Sequence, residues 1–172
     1  MRPNPSLILF LLAAFSTTAA LYSINSSEDY QRTIADNVIV FPRLNAKPEA
    51  ANVLFIETGA LKLKFTQNAE SVWVAENKFK YPASSKLIQK VISQLADMRK
   101  IAVKTRMPSR FNQIGVEPYQ KADANSVFVK LQGADGEILA ESILGAQFKR
   151  NNIGVAEGTF IRHPKEQQAW LA

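Results

Sequence analysis

Leu87, Ile88, Val91, Ile92, Leu95 and Met98 recur at spacings of three and four, which paints one apolar stripe on a helix of about four turns. A serine at position 84 or 85 is suited to cap its start. A lone amphipathic helix cannot bury its stripe by itself, so the remaining chain must supply a surface for it. That surface reads as sheet. Val53 and Phe55 alternate in a short strand, Thr58-Gly59 turns, and Leu61, Leu63 and Phe65 alternate with Lys62, Lys64 and Thr66. Val72-Trp73-Val74 predicts a third strand with its tryptophan on the core.

Beyond the helix, Ile101–Val103 resembles a short strand, and Pro108–Gln113 a helical turn that stops at Gly115. Ser126–Leu131 and Ile138–Leu144 flank Asp135-Gly136, the signature of a tight hairpin. Gly158–Arg162 and Gln168–Ala172 read as a closing hairpin. The expected class is α+β, a mainly antiparallel sheet of hairpins packed against one long amphipathic helix and preceded by an N-terminal hydrophobic helix.

That N-terminal helix admits two readings. Arg2 precedes the apolar run Leu7–Phe15, and Thr18-Ala19-Ala20 would serve as a small-residue cleavage site, the layout of a secretory signal. Alternatively Ser6–Ile24 is a helix just able to cross about 30 Å of hydrocarbon, an uncleaved anchor. Both export the rest of the chain, because positive charge stays on the cytoplasmic side. The expected layout is therefore an anchor or signal over 1–24, a tether over 25–51 and an exported domain over 52–172. The tether carries one apolar docking point at Val38–Pro42. The expected location is the inner membrane with the domain in the periplasm, or the periplasm after cleavage.

The chain of 172 residues contains no cysteine and a single histidine. Disulfides, thiolate metal sites and cysteine nucleophiles are excluded, as is a metal site of paired histidines. His163, before Pro164, is expected in an exposed turn, and Arg162 in a sheet-edge ion pair with Glu157 or Glu141. Glu137 and Glu141 sit four apart on one strand, about 13 Å, too far for a glycosidase pair. No glycine-rich phosphate loop joins a strand to a helix. No catalytic residue, metal or cofactor is expected.

Positive charge is the most suggestive feature. Lys86, Lys90, Arg99, Lys100, Lys104, Arg106 and Arg110 gather across the helix and its exit, against Asp97 as the one acid there. Such a set attracts anionic lipid, an acidic partner or an envelope polyanion; it equally describes the solvated face of a helix with cations near its C-terminus. Nucleic acid is not expected, since aromatics are not interleaved with these charges.

Phe41-Pro42, Tyr81-Pro82-Ala83, Lys104-Thr105, Ile114-Gly115-Val116-Glu117, Leu144-Gly145, Gly158–Arg162 and Gln168–Ala172 together resemble the domain of unknown function family 4340 from about residue 38 onward. The resemblance implies an exported, membrane-anchored bacterial domain associated with ABC-type transport systems related to gliding motility, with no catalytic residues to carry over. Members commonly continue beyond the tryptophan strand, so this chain resembles the first half of a longer member or a shortened form. The expected function is a non-enzymatic accessory domain that binds an envelope or inner-membrane protein, ABC-transporter components included. The alternative is a basic module for lipid or polyanion, and an envelope hydrolase is the remote third. One further expectation concerns Gln168–Ala172: paired with Gly158–Arg162 on one side only, it would recruit a second copy or an envelope partner through Trp170 or Leu171.

Overall fold

The computed structural model describes residues 38–149 and 157–172. The expected hydrophobic segment Ser6–Ile24 and residues 25–37 of the expected tether lie outside them. Among the described residues no helix is long and apolar enough to cross a membrane. The architecture is α+β: helix α1 (Pro42–Ala46), strands β1 (Val53–Glu57), β2 (Lys62–Gln67), β3 (Trp73–Ala75) and β4 (Tyr81–Pro82), helix α2 (Ser85–Ala96), then β5 (Ala102–Val103), β6 (Val127–Gln132), β7 (Ile138–Phe148), β8 (Gly158–Arg162) and β9 (Ala169–Leu171). The strands form one sheet in the order β4-β3-β2-β1-β6-β7-β8-β9-β5, each neighbour antiparallel.

The β1–β2 and β6–β7 hairpins and the start of α2 are fixed by local chemistry that the sequence advertises. The Thr58 hydroxyl accepts from the Ala60 and Leu61 amides to close β1 onto β2. Gly136 takes a positive φ of 83° at the β6–β7 turn, where the Asp135 carboxylate accepts from the Glu137 amide. The Ser84 side chain accepts from the Leu87 amide at the start of α2.

Side chains alternate across a strand, so register assigns faces. Leu54 stands opposite Leu131, and Leu131 opposite Ala140; these point toward α2, which buries Ile88, Ile92, Leu95 and Ala96 against them and Trp73. Val91 and Met98 pack at the margin of this core. Leu87, expected in the stripe, is instead exposed. It lies about 100° round the helix from Ile88, and the buried stripe centres on 88, 92 and 95.

The opposite face carries a cross-strand row, Phe128, Ile143, Arg162 and Ala169. Residues 106–125, irregular apart from a 3-10 turn at Pro108–Gln113, cover it with Phe111 and Val116. Tyr119 stacks on Phe128 with centroids 4.6 Å apart. Burial, with Glu57 and Glu141 nearby, raises the Tyr119 pKa above its ordinary value, against a hydrogen bond from Gln120 that lowers it. The covering loop touches β7 where there is no side chain: a Cβ on Gly145 would strike the Ile114 carbonyl oxygen and lie 2.8 Å from Val116 Cγ1. The Ala146 amide donates to that same carbonyl.

Two expectations are corrected. Residues 38–51 do not form a tether with one docking point, because Phe41, Leu44 and Ala51 are buried in the helix-side core. The Val40 amide also donates to Met98, and the Lys100 amide to Val38. Strand β9 is not open on its far side: β5 pairs with it, Ala102 opposite Leu171 and Val103 opposite Trp170. The chain leaving α2 turns directly onto this edge, and the Ile101 amide donates to Leu171 at 2.7 Å. The backbone groups on which strand recruitment depended are therefore occupied.

Candidate functional site

A cleft of about 270 Å³ opens where the start of α1, the start of β7 and the β8–β9 hairpin meet, lined in part by Phe41, Arg43, Lys100, Ile138, Glu141, His163, Glu166 and Trp170. Trp170 is held by strand pairing to Val103 and Ile161, and its indole remains partly exposed. Lys100 Nζ lies 4.3 Å from the ring centroid, a cation–π contact. Arg43 pairs with Glu137 at 3.3 Å across the hairpin end, both side chains well exposed, and Ile138 beside them is an exposed large apolar residue. The cleft therefore offers apolar surface rimmed by charges of both signs.

His163 lines this cleft in the turn after β8. Its Nδ1 accepts from the Lys165 amide at 3.3 Å, and its Nε2 lies 3.6 Å from a Glu141 carboxylate oxygen. Both contacts lie at the margin of the cleft, with the imidazole 38% exposed.

Arg162 is buried, and the expected ion pair with Glu157 or Glu141 is absent from its contacts. Its Nε donates to the Val116 carbonyl at 2.9 Å. Nη1 donates to Glu166 at 3.0 Å and, more weakly, to His163 and Pro164. The guanidinium lies 4.7 Å from the Phe111 centroid. Burial lowers its pKa from the ordinary arginine value, yet an arginine remains charged at any physiological pH. A rigid planar fork with five donors is well suited to collect carbonyls from a loop and a turn together. Arg162 thus joins the β8–β9 turn to the covering loop and is not presented to a partner. Leu171, 3% exposed, is likewise core.

The basic residues do not converge as a set. Lys86 and Lys90 are exposed on α2, and Arg110 is exposed in the 3-10 turn. Arg99 is exposed and forms a backbone bridge with Ile39. Arg106 donates to the Gln168 side chain at 2.6 Å. Lys104 sits over Phe148 and Phe160. Phe160 and Trp170 occupy opposite faces of the sheet, since Trp170 pairs with Ile161, the neighbour of Phe160. Lys100 and Lys104 are therefore committed to rings on opposite sides.

Comparison of the chain with family models, curated proteins and solved structures gives no match. The structure gives a structural occupation to several residues of the motifs behind the expected resemblance to family 4340: Gly145 and Ile114–Val116 dock loop on strand, and Arg162 binds Val116. A Cβ on Gly158 would meet the Ala172 carbonyl oxygen at 2.8 Å. Arg43 and Ile138 in the cleft escaped the reading of the sequence. Ile138 reads as an ordinary strand start, and Arg43 belonged to the supposed tether.

Proposed function

We propose that this chain is a non-catalytic accessory domain of the cell envelope, held in the inner membrane by Ser6–Ile24 with its sheet in the periplasm. Its cleft takes a segment of a protein partner. The observation that carries this reading is Trp170, partly exposed at a cleft wall with Lys100 on its ring and Ile138 exposed nearby. A tryptophan with a charged rim is the composition of binding hot spots. The likeness to family 4340 suggests a component of an ABC-type transport assembly as the partner. A single basic surface over Lys86–Arg110 is a weaker reading, because two of its members lie over rings on opposite faces. A hydrolase is weaker still, since among the described residues the His163 ring makes its polar contacts with the Lys165 amide and Glu141 and with no nucleophile.

The test is affinity purification of the full chain from membranes after cross-linking. Trp170→Ala should weaken partner recovery by about thirtyfold or more, the size of a hot-spot truncation. Lys100→Glu, which leaves strand pairing untouched, should weaken it in the same direction. Undiminished recovery with both variants would refute the cleft as the binding surface.

A further inference from the structure

The β3–β4 turn departs from turn chemistry in a way that the cleft does not explain. Five residues, 76–80, join β3 to β4; within them the Tyr81 amide donates to the Lys78 carbonyl at 3.0 Å, closing a β-turn whose central residues, Phe79 and Lys80, have φ of 55° and 54°. Positive φ at both central positions defines a type I′ turn, which Asn-Gly occupies without strain. Here a bulky aromatic and a lysine bear that strain, and strain of this kind accompanies function. Phe79 has no cover, with 104% relative exposure. Tyr81 follows at 73%, and Leu87 in the first turn of α2 at 64%.

The base of this turn is fastened while its tip is bare. The Glu76 amide donates to the Lys64 carbonyl at 2.8 Å, and its carboxylate accepts from the Thr66 hydroxyl at 2.7 Å. The Asn77 side chain donates to the Lys62 carbonyl. Charge along this stretch is mainly positive: residues 76–90 hold Lys78, Lys80, Lys86 and Lys90 against Glu76, and Lys78 and Lys80 flank Phe79. Lys86 and Lys90 are one helical turn apart, and Leu87 neighbours Lys90 on the same exposed surface. Strand β4 is an outer edge of the sheet, but Pro82 deprives that edge of an amide donor, so it is poorly suited to accept another strand. The contact must be made by side chains.

We infer that the Phe79 tip docks on an anionic lipid surface, with Phe79 entering the acyl boundary, Tyr81 at headgroup level and Lys78 and Lys80 over lipid phosphates. Aromatic rings favour that depth, and each lysine near an anionic leaflet strengthens attachment. A lipid surface suits this patch better than a protein does, because the ring is fully exposed and both of its flanking lysines, Lys78 and Lys80, adjoin it in the chain. The inference does not depend on the cleft or its partner.

Phe79→Trp in the full chain places an indole at the tip, and vesicles of phosphatidylcholine with brominated acyl chains, with or without phosphatidylglycerol, report its depth. The expected result is a blue shift and quenching beyond the Trp73 and Trp170 background, only in vesicles containing phosphatidylglycerol, and lost when Lys78 and Lys80 are both changed to Glu. Thermal melts matching wild type would show that these exposed changes leave the fold intact. An indole that stays water-exposed in both vesicles, or is quenched equally without anionic lipid, overturns the inference. So does a protein that co-purifies through Phe79 while the indole shows no response to lipid.

Discussion

On one face of the sheet, α2 presses Ile88, Ile92 and Leu95 onto Leu54 and Leu131; on the other, residues 106–125 are held by one guanidinium and a close approach at Gly145. The first face relies on apolar area, about 1.5–3 kcal/mol for each fully buried aliphatic side chain, and does not depend on the direction of any single contact. The second relies on direction. A charged hydrogen bond contributes about 1.5–3 kcal/mol, and the burial that lowers the Arg162 pKa takes part of that back. The loop packs Phe111 and Val116 on the sheet, and Arg162 adds a directed tie by collecting Val116 from the loop together with Glu166 from the turn beside it.

The largest disruption should come from the helix side. Leu95→Asp puts a carboxylate without a partner into the core and should cost several kcal/mol, seen as loss of the cooperative thermal transition. Unchanged melting would contradict the assignment of that helix face. Arg162→Met should cost about 2–4 kcal/mol, by leaving buried carbonyls unpaired. Its effect should be local, with faster amide exchange in 114–117 and 163–166 while α2 keeps its protection; equal loss in α2 would show that both faces open as one unit. Gly145→Ala should cost about 1–3 kcal/mol through the clash with Ile114 and Val116.

The smallest effect is a pH slope. The Tyr119 pKa is raised in the folded state, chiefly by burial and then by Glu57. Its contribution is fully present below the unfolded tyrosine value and lost as pH rises through the folded one. Tyr119→Phe should flatten the alkaline part of the stability profile relative to wild type. Identical slopes would remove Tyr119 from the account of that face.

These two faces also differ in how far they could be read in advance. The stripe Ile88, Val91, Ile92 and Leu95, the Asp135-Gly136 turn and the alternation in β1 and β2 were legible, because local periodicity is what builds them. Leu87 misled because periodicity marks a stripe without marking its edge. Arg162 was singled out, but with the wrong partners: its ligands are main-chain carbonyls, which have no signature in side-chain sequence. The pairing of β9 with β5 joins residues nearly seventy apart, and nothing local announces it. Phe79, set between two lysines in a polar run, could have been noticed, though its backbone strain could not.

If the cleft side of the molecule meets a partner as proposed and the loop-covered side does not, a photo-cross-linking residue at Ile138 in the cleft and one at exposed Gln120 in the covering loop should behave differently in living cells. One discrete cross-linked protein is expected from position 138, diminished by Trp170→Ala, and none from position 120. Cross-links of equal yield from both positions, or from position 120 alone, would refute the cleft as the partner's seat.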